Sequence, residues 1–197
     1  MNVALRQPSM TRDQFFDWAQ AQEERYEFDG FQPIAVTGGT ANHNRICQNV
    51  WSALRTRLDG TGCEAFGPDA GVATVGDAVR YPDALITCTK FAGSSLLIPG
   101  VVVVLEVISP TSGRADRIDK VLEYRAVPSI RRYVILEHLD IGLTVFSRAD
   151  GTADWTATAL TADETLAIPE VGVAVPVQEF YKDVDLPGTP PMAGSLA

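Results

Sequence analysis

Two carboxylates stand inside strongly apolar stretches of this sequence. Glu106 lies in VVVVLEVI, residues 101–108, and Asp83 follows Pro82 in AVRYPDALIT, residues 78–87. A buried carboxylate is costly unless a basic side chain, a set of N–H donors or a metal ion compensates its charge. Adjacent strands lie about 4.8 Å apart, so carboxylates on one face of neighbouring strands can share a divalent ion. Oxygen ligands on a rigid scaffold favour Mg²⁺ or Mn²⁺.

A lysine follows in a stretch with a helical pattern, ADRIDKVLEY. Lys120 beside such an ion could orient or help deprotonate a water, or hold a phosphate. Two simpler interpretations stay open. Glu106 could form a structural ion pair with Arg80 or Lys120, and Lys120 could pair with Asp116 one helical turn before it. The combination with Asp83 favours the metal site.

The composition is that of a globular protein, and the chain is long enough to bury a hydrophobic core. The chain has 197 residues, of which 46% are hydrophobic and 21% charged, which suits a single domain. It contains no apolar run of the roughly 18 residues that a membrane helix needs, and its start has no secretory pattern. Three scattered cysteines without a CxxC motif favour reduced thiols over a disulfide frame or a zinc knuckle. We therefore expect a cytoplasmic protein without membrane contact.

The charge is uneven along the chain. The net charge is −9 and the sequence pI about 4.6, which by itself weighs against a nucleic-acid partner. Residues 114–132, however, carry more basic than acidic side chains. The basic members of this segment are Arg114, Arg117, Lys120, Arg125, Arg131 and Arg132. Because the segment closely follows Glu106, Arg114 and Arg117 are candidates for DNA phosphate contacts, although a solvated helix face would look the same.

The elements that must position these residues follow from periodicity and turn signals. We expect a helix from Thr11 to about Glu24, opened by a capping box of Thr11 with Gln14, and a hairpin turn at Asp29-Gly30. Further helices are expected over Thr40 to Leu58 and Asp116 to about Ala126. Strands are expected in CEAF, GVATV, AVRYPDALIT, VVVVLEVI, RRYVILE, IGLTVFS, WTATAL and VGVAV, with a helical turn in VQEFYKD. This order predicts a mixed α/β (α+β) sheet domain.

Several of these motifs together resemble a known family. YEFDG, a histidine in the next helix (His43), YPDALI, LEVISPTS and DRIDKVLEY occur in that order. The pattern is similar to the PD-(D/E)XK nuclease superfamily, and in detail to the Uma-type restriction endonuclease-like family, long classed as a domain of unknown function. The resemblance runs from about residue 11 to residue 184. It implies a restriction-endonuclease-like mixed β-sheet core flanked by helices, with added β-hairpins.

The resemblance also implies roles for individual residues. Asp83 and Glu106 would bind Mg²⁺ or Mn²⁺. The superfamily's usual lysine position is occupied by Ile108, so Lys120 on the following helix would supply the positive charge instead. Glu27 in YEFDG matches an early acidic residue often found near such sites. Alternatively, Glu27 is simply a charged residue at the edge of the hairpin, with no role in a site.

Two further residues are candidates for lining the site. His43 lies near a helix start, where a capping or surface role is the more common one. Tyr124 lies one turn beyond Lys120 and would suit the core equally well.

The expected activity is divalent-metal-dependent hydrolysis of DNA phosphodiester bonds by an endonuclease. The alternative is a catalytically weak or inactive nuclease-like fold that acts as a binding or scaffold module, which the net charge of −9 supports. We expect a homodimer, because the superfamily often pairs protomers to cut both strands. One domain should span residues 1–187, with a disordered tail at residues 188–197.

Overall fold

The structure is a computed structural model that describes residues 10–108, 114–149, 152 and 154–187, with backbone alone for residues 114–117. Residues 109–113 and the predicted disordered tail lie outside these described residues. The side chains of Arg114 and Arg117 lie outside them too, so their predicted DNA contacts stay predictions.

Helices and strands are interspersed along the described chain. The helices are α1 Arg12–Ala19, α2 Ala41–Leu58, α3 Arg114–Ala126 and α4 Val177–Phe180, with a 3₁₀ turn at Pro169–Val171. The strands are β1 Tyr26–Phe28, β2 Pro33–Ala35, β3 Glu64–Phe66, β4 Val72–Ala73, β5 Val79–Arg80, β6 Ala84–Thr87, β7 Val101–Ile108, β8 Arg132–Glu137, β9 Gly142–Ser147, β10 Thr156–Thr161, β11 Thr165–Ile168 and β12 Val173–Pro176. The order confirms the expected mixture of helices and strands.

A mixed sheet of six strands forms the centre, in the order β10-β9-β8-β7-β6-β3. Strand β7 runs parallel to β8 and antiparallel to β6. Seven of its eight residues are buried, as predicted for an apolar strand covered on both faces. Smaller sheets, β2-β1-β5-β4 and the hairpin β11-β12, complete the fold.

The two faces of the central sheet pack against different helices. On one face, Ile46, Val50 and Leu54 of α2 share a buried cluster with Val103 and Leu105 of β7 and with other apolar residues. On the other face, Tyr124 of α3 shares a cluster with Val104, Ile108 and Tyr133. Glu106 falls between Val104 and Ile108 in the strand alternation, so its side chain points to the α3 face.

The predicted local signals form as expected at the start of the chain. Thr11 caps α1 in a capping box with Gln14, although α1 ends at Ala19, earlier than predicted. In the β1–β2 turn, the Asp29 carboxylate accepts hydrogen bonds from the backbone N–H groups that follow Gly30, both at 2.7 Å. Gly30 has φ +88°, a conformation that favours glycine.

The stretch AVRYPDALIT was predicted as one strand, and this was wrong. Strand β5 ends at Arg80 and belongs to the small sheet, whereas β6 begins at Ala84 in the central sheet. Pro82 lies between them, and proline cannot donate a ladder hydrogen bond. Asp83 therefore lies directly before β6 and not inside a strand. Strand β11 was not predicted; it pairs with the predicted β12.

The cysteines also differ from the prediction of reduced thiols. Cys63 and Cys88 form a disulfide, and Cys47 is free and buried. Register explains the pairing, because Glu64 of β3 lies opposite Thr87 of β6, so the flanking cysteines come level. Within the described residues, no helix has both the length and the apolar character to cross a bilayer.

Candidate active site

Glu106 is the centre of a buried polar cluster on the α3 face of the sheet. It is 6% exposed. Its Oε1 accepts hydrogen bonds from Lys120 Nζ at 3.2 Å and from the Tyr124 hydroxyl at 2.7 Å. Its Oε2 accepts one from the Tyr133 hydroxyl at 3.0 Å. Three donors from α3 and β8 thus compensate a carboxylate that the sequence buries in an apolar strand.

Opposing effects act on the pKa of Glu106. Burial raises the pKa, the Lys120 ammonium and the Tyr124 hydrogen bond lower it, and the negative charges of Glu27 and Asp83 raise it. The net result is a pKa above the ordinary value. A carboxylate with a raised pKa that lies near two other acids is typical of a place where a cation is expected.

Lys120 points from α3 into this cluster. Its Nζ lies 3.2 Å from Glu106 Oε1 and 4.0 Å from Glu27 Oε1, and its side chain is 16% exposed. The next residue, Val121, packs partly buried against the same core as Tyr124, so this side of the helix faces the sheet. The structure therefore brings Lys120 and Glu106 together, with Glu27 at the limit of ion-pair distance.

Asp83 lies directly before the first residue of β6, beside the neighbouring strand β7. The register pairs Ala84 with Leu105, so Asp83 comes level with Glu106. Its Oδ2 accepts a hydrogen bond from the Val107 backbone N–H at 2.8 Å. Val107 lies beyond the part of β7 that pairs with β6, so the Asp83 side chain takes the place of a strand partner. The backbones of the two predicted metal ligands are thus level, but the Asp83 carboxylate is contacted from α2 and the Glu106 carboxylate from α3.

Two side chains that contact the Asp83 carboxylate come from α2, the helix on the opposite face from α3. His43 Nε2 lies 3.5 Å from Asp83 Oδ2, and Cys47 Sγ lies 3.5 Å from His43 Nδ1. Burial by itself raises the pKa of Asp83, but hydrogen bonds with His43, Val107 and Cys47, together with the charge of His43, outweigh it and lower the pKa. His43 also takes part in the N-terminal cap of α2, because its backbone N–H donates a hydrogen bond to the side chain of Thr40.

The sequence did not reveal Cys47 as part of this arrangement. Burial is the main reason why the pKa of its thiol is raised, with the charge of Asp83 adding to the effect. For His43, the hydrogen bond to Asp83 raises the pKa and outweighs burial, which lowers it. The sequence signal that could have linked Cys47 to His43 is their spacing of four residues, because residues one helical turn apart share a face.

Glu27 belongs to a second buried ionic group, formed with Arg80 and Glu123. Arg80 is 5% exposed; its Nη1 donates to Glu27 at 3.1 Å, and its Nε and Nη2 donate to Glu123 at 2.8 and 2.6 Å. Burial lowers the pKa of Arg80, but the two carboxylates outweigh it and raise it. The alternative pairing of Glu106 with Arg80 is therefore not observed, and Glu123 and Tyr133 are contacts that the sequence did not reveal.

The basic segment is partly paired with acids. Arg132 donates to Glu170 at 3.1 and 3.0 Å in a pair that is nearly buried. Arg125 lies 3.5 Å from Asp154 at the surface. These pairs leave less positive charge for a phosphate backbone than the sequence count suggests.

The comparisons with known proteins agree with one another. The family model described as "Uma2: Putative restriction endonuclease" matches residues 12–178. Two proteins of Synechocystis sp. are similar: "Uncharacterized protein slr1290", 25% identical with 89% of this chain and 93% of that protein covered, and "Uncharacterized protein sll1609", 23% identical with 81% and 92% covered. A crystal structure described as a putative nuclease belonging to DUF820 from Anabaena variabilis has a TM-score of 0.68 at 14% identity, with 87% of this chain and 97% of that chain covered. That last likeness concerns the fold alone.

Proposed function

Because the chain belongs to the Uma2 family, described as putative restriction endonucleases, we propose that it is a divalent-metal-dependent nuclease that hydrolyses DNA phosphodiester bonds. The observation that carries this proposal is the cluster at the ends of β6 and β7. There the charges of Glu27 and Asp83 add to burial in raising the pKa of Glu106, and the Lys120 ammonium lies 3.2 Å from Glu106 Oε1.

The donor set fits Mg²⁺ or Mn²⁺. Each carboxylate oxygen has two lone-pair directions, and among the described contacts Glu106 Oε2 uses one, for Tyr133. Asp83 lies level with Glu106 through the strand register. Oxygen ligands with neighbouring negative charge are what these ions prefer, so Asp83 and Glu106 would hold the ion. Such an ion supplies positive charge that stabilises a phosphate as negative charge develops on it.

The chain's own residues then have separate roles. Asp83 and Glu106 hold the ion, and Lys120 supplies a cation that can approach either the attacking water or a phosphate oxygen. Tyr124 and Tyr133 fix the orientation of Glu106 through hydrogen bonds at 2.7 and 3.0 Å. These are the positioning contacts that a reactive centre requires. Glu27 adds negative charge beside Lys120 and keeps the ammonium inside the cluster.

The experiment is nicking of supercoiled plasmid with Mg²⁺ or Mn²⁺, compared with EDTA. Asp83→Asn and Lys120→Met should each reduce the rate by at least about a hundredfold, the range found when one positioned charge is removed from a reactive centre. Lys120→Met removes one of the three donors of Glu106 and should therefore lower stability, but the variant should still fold and still bind the metal. Lys182→Met removes an exposed lysine that has no role in the proposed site. It serves as the matched control and should cleave plasmid at the parental rate.

Cleavage that persists in EDTA, or cleavage by Asp83→Asn at the parental rate, would contradict the proposal. Parental cleavage by Lys120→Met would contradict the role of Lys120 alone. Circular dichroism of each variant separates loss of chemistry from loss of fold.

A second candidate function has its own supporting observation. Glu106 already has three donors without any ion, and the net charge is −9. Both features fit a nuclease-like fold that binds a partner and no longer cuts. Absence of plasmid nicking by the folded parent, under every divalent ion tried, would favour this binding module.

We also propose a homodimer in the cytoplasm. Cutting both strands of a duplex calls for two reactive centres, and a two-fold dimer supplies them with one kind of interface. Light scattering at micromolar concentration should give twice the mass of 21.3 kDa; a monomer there would refute the dimer.

The proposed location in the cytoplasm needs its own test. The protein has a Cys63–Cys88 disulfide, and disulfides are more common in proteins of oxidising compartments. Cell fractionation is therefore the test of location.

A further inference from the structure

The group of His43, Cys47 and Asp83 has a donor chemistry that the proposed nuclease site does not use. His43 and Cys47 are one turn apart on α2, and Asp83 approaches from the end of β6. The ligand atoms of the three side chains all lie within 4.8 Å of one another. Two of the spacings are 3.5 Å: Cys47 Sγ to His43 Nδ1, and His43 Nε2 to Asp83 Oδ2.

We propose that His43, Cys47 and Asp83 form a binding site for a borderline-soft transition-metal ion, best matched by Zn²⁺. Zinc binds sulfur at about 2.3 Å and nitrogen or oxygen at about 2.0–2.2 Å. On a tetrahedral ion these lengths put neighbouring ligand atoms roughly 3.3 to 3.6 Å apart. The 3.5 Å spacing of Cys47 Sγ and His43 Nδ1 lies in this range, whereas Asp83 Oδ2 is 3.5 Å from the other ring nitrogen, Nε2. A turn of the imidazole ring is the adjustment needed, because at present each ring nitrogen faces a different partner.

The donor types separate this site from the oxygen-based pair of Asp83 and Glu106. Thiolate and imidazole ligands favour zinc and its neighbours, whereas Mg²⁺ takes oxygen ligands in octahedral geometry. Asp83 would be common to both sites, so zinc and the ion of the proposed nuclease would compete for it. The zinc proposal itself does not depend on nuclease activity.

Neighbouring groups hold Asp83 and the start of α2 at His43, and a cavity lies beside Cys47. The Val107 N–H donates to Asp83 at 2.8 Å, which is the kind of outer contact that orients metal ligands. Thr40 caps the first turn of α2 next to His43. Cys47, itself 8% exposed, lines a cavity of about 720 Å³ alongside α2. Three protein ligands leave the fourth position of a tetrahedral ion open, as in zinc sites with a water ligand.

The test is titration of the full chain, with any purification tag removed, using Zn²⁺ in competition with a chromophoric chelator. We expect one tightly bound Zn²⁺ per chain. Cys47→Ser and His43→Ala should each weaken the affinity at least about tenfold. Titration with Co²⁺ should give a near-ultraviolet thiolate-to-cobalt absorption band that is absent from Cys47→Ser.

Two controls locate the ion. Glu106→Gln removes a ligand of the proposed nuclease centre and should leave zinc affinity unchanged. The double variant Cys63→Ser/Cys88→Ser should also bind zinc as the parent does, and it excludes the disulfide cysteines as the source of the thiolate band.

Several outcomes would overturn the proposal: no zinc binding by the parent chain, equal affinity in Cys47→Ser and the parent, or loss of binding in Glu106→Gln alone. In the last case the ion would sit on oxygen ligands. Cys47→Ser is nearly the same size as the parent residue, so it keeps the test valid if His43→Ala fails to fold. Failure of zinc binding would leave plasmid nicking unaffected, so the two proposals fail separately.

Discussion

The buried hydroxyl of Tyr124 offers a direct test of the charge on Glu106. Tyr124 is fully buried and donates to Glu106 Oε1 at 2.7 Å, while its ring packs against Tyr133 with centroids 4.9 Å apart. Tyr124→Phe removes the hydroxyl and keeps the ring. A hydrogen bond to a charged group contributes about 1.5–3 kcal/mol to stability, and a neutral one about 0.5–1.5 kcal/mol. We therefore expect Tyr124→Phe to lower the free energy of unfolding by about 1.5–3 kcal/mol.

The assay is urea unfolding followed by fluorescence, with EDTA present because a bound ion would add stability of its own. For a chain of this length the expected loss corresponds to a fall in melting temperature of roughly 3–12 °C. In the Glu106→Gln background the same change should cost only about 0.5–1.5 kcal/mol, because the acceptor is then neutral. The difference between the two backgrounds measures the coupling of the hydroxyl to the charge.

A tyrosine on an exposed carboxylate provides the matched control. The Tyr26 hydroxyl donates to Glu24 at 3.1 Å at the surface, so Tyr26→Phe should leave stability nearly unchanged. Equal costs of Tyr124→Phe in the parent and in the Glu106→Gln background would refute a charged Glu106. A cost below about 0.5 kcal/mol in the parent would refute the hydrogen bond itself.

Other predictions concern the ionic contacts and the cysteines. Arg80→Ala should cost about 3–5 kcal/mol of unfolding free energy, because it leaves buried carboxylates without their cation; a loss under about 1 kcal/mol would contradict that burial. Arg57→Ala removes a part-exposed ion pair with α4 and should cost no more than about 1 kcal/mol, with less effect at high salt. Alkylation of protein unfolded without reductant should label Cys47 and spare Cys63 and Cys88, as seen by mass spectrometry; labelling of all three would disprove the disulfide.

Elements with strong local signals could be predicted from the sequence. The period of Ile46, Val50, Leu54 and Leu58 predicts a buried helix face, and all four are buried in α2. The near-continuous apolar run of β7 predicts an interior strand, which is its place in the sheet. These signals depend on side-chain periodicity and burial, which are properties of the local sequence.

Elements that depend on strand pairing could not be predicted in the same way. AVRYPDALIT has the composition of one strand, yet it divides between two sheets around Pro82. The Cys63–Cys88 disulfide depends on the register of β3 with β6, which neither segment encodes alone. Pairing partners come from distant parts of the chain, so local composition does not identify them.

The candidate site likewise has features that follow from the sequence and features that depend on the tertiary structure. The sequence by itself determined the acidic residues in apolar stretches, the lysine in the helix after them and the family resemblance that joins them. Only the tertiary structure decided that Tyr124 and Tyr133 share Glu106, that Arg80 pairs with Glu27, and that Asp83 is contacted from α2. The physical reason is that residue types record the chemistry available, whereas a carboxylate's partner is whichever donor the packing of distant elements brings within about 3 Å.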